Sequence, residues 1–280
     1  MNQLTQRLLL FFLGTPLLIV IILLLPMYNH LAWNVVMILG SIAGASELFL
    51  ILSKKFNTSL RKLPFVGALI PVSVYLEMSN YVFAGFTILI IVIMTSIILT
   101  REIFLKSEED INNVIIRLLS SVIVLLYPGL FMAYTIKLSF LPNASYLILL
   151  FLLLTFTNDS LAFVGGSLFG KKSRKIFLVS PNKSLVGFIS GILSTIAVGL
   201  IFRLIFNLSI SAWEMLILTT ATSLSANAGD LIESAIKRSA NVKDSGSLMP
   251  GRGGILDSID SILFSAPVFY YILTLAFKQV

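Results

Sequence analysis

The sequence predicts an all-α fold, a polytopic transmembrane helical bundle of about nine spans with a cytoplasmic N-terminus. Three observations lead there: apolar runs of membrane-crossing length recur along the chain, charge is sparse, and the basic residues fall in alternate loops. Of 280 residues, 57% are hydrophobic and 12% charged, against about 45–50% and about 25% in a soluble domain. Too little polar material remains to cover a water-facing surface, which excludes the ordinary soluble classes. There is no cysteine, so disulfides, thiolate-bound zinc and thiolate nucleophiles are excluded. The net charge of +7 matters less than where it lies.

A span needs roughly 20 apolar residues to cross about 30 Å of hydrocarbon. The qualifying runs are 7–25, 31–52, 63–79, 81–100, 114–136, 145–169, 185–206, 212–236 and 257–277. The first resembles a signal peptide in its flanks, but it is long for that role and no small-x-small cleavage site follows, so it reads as a retained span. The third is short and contains Pro71, as a tilted or re-entrant segment would. Pro16, Pro128 and Pro267 also interrupt spans, where neighbouring helices can satisfy the freed backbone groups.

Loop charge sets the orientation. Lys54, Lys55, Arg61 and Lys62 follow span two, and Arg101 and Lys106 follow span four. Lys171, Lys172, Arg174, Lys175 and Lys183 follow span six, and Lys237, Arg238, Lys243 and Arg252 follow span eight. Residues 26–30 and 207–211 carry no Lys or Arg, and 137–143 carries Lys137 alone. Basic loops stay in the cytoplasm, so the N-terminus lies inside and the C-terminus outside. Residues 1–136 supply the first spans with little chemistry, and residues 137–280 are expected to carry the site.

A charge within a span costs about 2.5–3.5 kcal/mol on insertion scales, so each one calls for a reason. Glu77, Arg203 and Glu214 lie near outer span ends, and Arg117 near an inner end, where snorkelling suffices. Glu47, near the inner end of span two, remains a site candidate. Asp159, Asp230, Asp257 and Asp260 share a cytoplasmic depth on three helices, the last two as i, i+3 neighbours. Carboxylates this close repel unless a cation lies between them. Oxygen ligands without Cys or nearby His suit Mg²⁺, which completes its shell with water and substrate phosphate. Ion pairs with the 237–252 loop are the alternative reading.

That loop reads Lys237-Arg238, Lys243-Asp244-Ser245-Gly246, then Pro250-Gly251-Arg252-Gly253-Gly254 before Asp257. Successive backbone N–H groups in glycine-rich turns can cradle phosphate, and the N-terminus of span nine favours an anion. Lys and Arg add phosphate contacts. The second basic loop, from Lys171 to Ser184, suits anionic headgroups or topology alone.

These residues resemble the phosphatidate cytidylyltransferases (CDP-diacylglycerol synthases), whose signature runs S-x-x-K-R-x4-K-D-x-G-x3-P-G-H-G-G-x-x-D-R-x-D. Ser234, Lys237, Arg238, Lys243, Asp244, Gly246, Pro250, Gly251, Gly253, Gly254, Asp257 and Asp260 match at the required spacing. Gly229-Asp230-Leu231, Ser180-Pro181-Asn182-Lys183 and Asp159 also look like the family. Arg252 stands where the family has His, Ser258 where it has Arg, and Leu185-Val186 where Trp-Glu is common. By motif, the resemblance covers roughly the last 125 residues.

The resemblance implies transfer of a cytidylyl group from CTP to phosphatidic acid, giving CDP-diacylglycerol and pyrophosphate. It implies Asp230, Asp257 and Asp260 as ligands of Mg²⁺, with a second cation possible, and Lys237 beside them as a catalytic residue. Lys237, Arg238, Lys243 and Arg252 would clamp phosphates, while Asp159, Asn182 and Lys183 line the second side. Ser234, Asp244, Gly246, Gly253 and Gly254 complete the substrate-binding set. The expected partners are CTP, phosphatidic acid and the bilayer, with a homodimer possible and no nucleic acid. The expected location is the bacterial inner membrane, with the active site facing the cytoplasm. A secondary transporter, whose acids should lie nearer the bilayer centre, and a CTP-dependent polyprenol, phytol or ether-lipid relative remain as alternatives, beside an inactive homologue.

Overall fold

Inside a bilayer a backbone has no water to bond, so it must pair its own N–H and C=O groups. The apolar runs do this as helices. A computed structural model describes residues 10–56, 66–104, 108–170, 173–175, 177–251 and 253–276. Among them β-pairing is limited to two isolated bridges, Lys175 with Ser184 and Met249 with Gly253. The helices are α1 (Thr15–Leu24), α2 (Met27–Lys55), α3 (Val66–Met78), α4 (Phe86–Arg101), α5 (Glu108–Asn112), α6 (Val114–Val124), α7 (Phe131–Leu138), α8 (Ala144–Phe169), α9 (Leu185–Ile205), α10 (Ala212–Ser239) and α11 (Leu256–Tyr271). A π-helical stretch, Leu125–Leu130, joins α6 to α7, and another, Ile272–Ala276, extends α11.

Each apolar run read from the sequence coincides with a helix, but not all are of spanning length. Met27–Lys55, Val114–Leu138, Ala144–Phe169, Leu185–Ile205 and Leu256–Leu275 are long and apolar enough to cross a membrane. The chain is a polytopic helical membrane protein. Phe12–Leu24, Val66–Met78 and Phe86–Arg101 are shorter. The 16 residues of α4 reach about 24 Å, less than the hydrocarbon thickness. Helix α10 has 28 residues, but Glu214, Asp230, Glu233, Lys237 and Arg238 dilute its apolar content.

The chain divides into two compact units, Met1–Phe140 with Ser239–Ile259, and Leu141–Arg238 with Asp260–Val280. The glycine-rich segment, grouped by sequence with the C-terminal region, thus packs in the first unit. There α2, α3 and the continuous helix formed by α6 and α7 pack together, with Ser41, Gly67 and Pro128 meeting at the contact. The Ser41 hydroxyl lies 2.5 Å from the Gly67 carbonyl and 2.9 Å from that of Pro128. Pro128 has no N–H to give, its turn widens to a π-helix, and the hydroxyl serves a carbonyl there. In the second unit α8 and α9 run close because Gly187 and Gly191 face them. Phe151 of α8 and Phe269 of α11 have ring centroids 5.1 Å apart in its core.

The charges expected to snorkel are used locally instead. Arg117 is 4% exposed and pairs with Glu102, Nη2 at 2.6 Å and Nε at 3.0 Å from Oε2, because a buried guanidinium needs a partner. Glu77 accepts the N–H of Gly85 at 2.7 Å and of Thr87 at 2.8 Å, capping α4. Glu214 accepts the Ser211 N–H at 2.7 Å while its own N–H donates to Ser211 Oγ at 3.2 Å, a capping box. Arg203 donates to the Ile210 carbonyl.

Candidate functional site

Many of the residues singled out by sequence lie in two polar clusters, one in each unit. The cluster of the second unit surrounds a cavity of about 510 Å³. Asp159 of α8, Asp230 of α10, and Asn182 and Lys183 of the α8–α9 loop line it, beside Ala162, Phe163 and Phe188. The loop is shaped by its own sequence. Pro181 follows Ser180 in a turn closed by the Lys183 N–H on the Ser180 carbonyl at 3.0 Å. Ser184 then caps α9, its Oγ accepting the Gly187 N–H at 3.1 Å. These two devices hold Asn182 and Lys183 on the cavity wall.

Lys183 pairs with Asp230, and Ser234 Oγ donates to Asp230 Oδ1 at 3.5 Å. Asp260, 6% exposed on α11, lies close enough to Asp230 and Asp159 for mutual repulsion. Its Oδ1 accepts the Ser261 N–H at 2.6 Å. A buried amide network supports Asp159: Asn158 Nδ2 donates to its Oδ1 at 3.3 Å. Asn158 Oδ1 in turn accepts Ser223 Oγ–H at 2.5 Å and Asn227 Nδ2–H at 3.1 Å. Sequence reasoning missed Asn158, Ser223 and Asn227; polar side chains in α8 and α10 at the depth of Asp159 were the available signal. Lys237 is buried and pairs with Glu233 one turn earlier, while Arg238 is exposed.

Asp230, Asp159 and Asp260 offer carboxylate oxygens, the chemistry a hard cation prefers. Among the described residues no three Asp, Glu or His side chains are gathered tightly enough to hold an ion. The positive charge facing Asp230 is the ammonium of Lys183.

The cluster of the first unit is built on the loop between α10 and α11. Asp257 Oδ2 accepts the N–H of Ser245 at 2.9 Å and of Gly254 at 2.7 Å. The Ser245 hydroxyl lies 2.9 Å from that oxygen and 2.9 Å from Glu47 Oε2. Glu47, 4% exposed on α2, accepts the N–H of Ile255 at 3.0 Å and of Leu256 at 2.8 Å. Gly253 turns the chain with φ +106°, a conformation that favours glycine, and closes a bridge to Met249 through 2.8 Å and 3.1 Å bonds. Lys243 and Asp244 are exposed. Arg252, expected to bind phosphate, lies outside the described residues.

The sequence expects the loop amides and the N-terminus of the last helix to cradle a phosphate. The structure differs: the amides of Ser245, Gly254, Ile255 and Leu256 are bonded to the protein's own carboxylates. The helix dipole attracts an anion as expected, and Glu47 and Asp257 are that anion.

Comparison with known proteins follows the same direction. A family model described as "Cytidylyltransferase family" matches residues 5–276. A phosphatidate cytidylyltransferase of Staphylococcus epidermidis is 40% identical over 129 residues, 46% of this chain and 48% of that protein. One from Bacillus subtilis is 45% identical over 120 residues, 42% of this chain and 44% of that protein. The uncharacterized protein YnbB of Escherichia coli is 37% identical over 131 residues, 47% of this chain and 43% of that protein. The chain spans about half the length of the curated relatives it matches. The family match runs over nearly all of the sequence, and the chain belongs to the cytidylyltransferase family.

Proposed function

We propose that the protein transfers a cytidylyl group from CTP to phosphatidic acid, giving CDP-diacylglycerol and pyrophosphate. The observation that carries this reading is the cavity in the second unit. It combines Asp159, Asp230, Asn182 and Lys183 with Phe163, Phe188 and Ala162, and so offers polar and apolar walls to an amphiphile. The relatives named phosphatidate cytidylyltransferase support the choice of lipid. A lipid phosphate oxygen attacks the α-phosphorus of CTP in line, the bond to the β-phosphate oxygen breaks, and pyrophosphate leaves. No covalent enzyme intermediate is needed, so the protein's work is orientation and charge neutralisation.

In this reading Lys183 and Asn182 hold phosphate oxygens on the cavity wall, and Lys237 and Arg238 add positive charge from α10. Lys243, exposed on the glycine loop of the first unit, and Arg252 stay candidates for phosphate contacts by their place in the motif alone. Asp230 and Asp260 would hold Mg²⁺, which takes only one or two carboxylates from a protein; Asp257, expected from the sequence as a third ligand, is bonded to Ser245 and Gly254 within the first unit instead. Bound Mg²⁺ would neutralise phosphate charge as the leaving group departs. Nine spans with a cytoplasmic N-terminus would bring the basic loops to the side where CTP is made, in a bacterial inner membrane.

The test is direct. Full-length protein in detergent receives radiolabelled CTP, phosphatidic acid and Mg²⁺, and lipid products are separated. Formation of CDP-diacylglycerol supports the reading. A product only when a polyprenol or ether lipid replaces phosphatidic acid would move the substrate. No product with any of them would end it.

A further inference from the structure

Glu47 belongs to no part of the sequence motif, yet it makes three hydrogen bonds to the glycine loop and the start of α11. Its two oxygens accept the Ser245 hydroxyl at 2.9 Å and the N–H groups of Ile255 and Leu256 at 3.0 and 2.8 Å. The first turn of α11 has donors with no intrahelical partner, and a carboxylate 208 residues away in sequence satisfies one of them and its neighbour. The loop is also moulded around this side chain. The three atoms nearest a Cβ on Gly246 are all Glu47 side-chain atoms, and a Cβ on Gly254 would overlap Glu47 Oε2. Ser245 then links Glu47 to Asp257, its hydroxyl lying 2.9 Å from a carboxylate oxygen of each.

We propose that Glu47 is a positioning residue for the reaction. It locks the segment 245–257 in one conformation and so fixes the carboxylate of Asp257, through Ser245 and the amides that start α11. The inference rests on the transfer activity proposed above for its kinetic part. Its structural part stands on the bonds alone. Two features distinguish it from a buried acid that merely stabilises the fold. Its three bonded partners lie in the loop or at the first residue of α11, and the two glycines whose added Cβ would strike it both belong to the motif.

The experiment uses the full-length protein in detergent, as the parent, Glu47→Gln, Glu47→Ala, Gly246→Ala and the Glu47→Ala/Gly246→Ala pair. Backbone hydrogen exchange is followed by mass spectrometry in 245–257, with peptides of α8 and α9 as internal controls. Steady-state CDP-diacylglycerol formation is measured over a range of CTP. The Gln side chain keeps the shape but replaces one acceptor oxygen with a donor. Expected for Glu47→Gln is exchange at least tenfold faster in 245–257 and unchanged in α8 and α9. Its kcat falls at least tenfold, with KM for CTP within threefold of the parent. The Glu47→Ala/Gly246→Ala pair is no worse than Glu47→Ala alone, because the Cβ no longer has anything to strike.

Unchanged exchange in 245–257 would overturn the proposal. So would faster exchange throughout both units, which would make Glu47 a support of the whole fold. So would multiplicative losses in the double variant. If the parent makes no CDP-diacylglycerol, the functional reading fails, and the exchange data still decide whether Glu47 holds the loop.

Discussion

The ammonium of Lys183 pairs with the carboxylate of Asp230, and both side chains line the same cavity. They are 29% and 32% exposed, so their pairing stabilises the fold by no more than about 1 kcal/mol. The pair therefore matters little to stability and a good deal to charge in the cavity. Lys183→Met is expected to shift Tm by no more than about 4 °C. It should lower kcat/KM for CTP at least tenfold, measured by the radiolabel assay.

Asp260 is a carboxylate placed at a cost. Asp230, Asp159 and Glu233 all repel it, and it is buried. Asp260→Asn removes that repulsion at nearly constant shape. Tm should stay level or rise by about 2–4 °C, while CDP-diacylglycerol formation falls at least a hundredfold. Activity close to that of the parent would remove Asp260 from the proposed metal site.

Asn158 is wholly buried, and its Oδ1 accepts from both Ser223 and Asn227. Asn158→Leu leaves those donors to find other acceptors and frees Asp159 from its amide partner. A buried donor without a partner costs about 1–3 kcal/mol. Thermal unfolding in detergent should show a loss of that size, and activity should fall at least tenfold at temperatures where the variant is still folded.

At Gly229 α10 lies tightly against α11 within the second unit. A Cβ there would lie 2.8 Å from Phe264 Cβ and nearer still to the Asp260 carbonyl. Gly229→Ala must push the two helices apart. The expected cost is about 1–3 kcal/mol, read as lower Tm, and activity should fall with it because Asp230 is the next residue.

Much of the architecture was legible because hydropathy is a local property. Nine apolar runs were read as spans, and each coincides with a helix among the described residues, five of them long and apolar enough to cross a membrane; the glycine-rich segment before Asp257 was visible as a loop. What local reading could not supply was length against bilayer thickness. The run 81–100 passed as a span on its residues, and its helix, Phe86–Arg101, falls short because the chain turns at Gly85 and Glu102. Tertiary pairings were also out of reach. Nothing in the spacing of Arg117 announces Glu102 as its partner. Glu47 stood out only as an acid in an apolar run, since the amides it bonds lie more than 190 residues further on. The site acids themselves were readable because charge within a span is rare enough to be conspicuous, whereas the amides behind them, Asn158 and Asn227, carry no charge to betray them.

The capping of α11 by Glu47 bears on how this protein can be cut. The recognisable signature begins at Ser234, and a fragment from Leu141 onward would carry every residue of it. Such a fragment would lack α2. The amides of Ile255 and Leu256 would lose their acceptor, and Ser245 would lose one of its two carboxylates. The first half of the chain, nearly featureless as text, completes the motif in space, so a fragment carrying the signature without α2 is expected to lose the conformation that Glu47 holds.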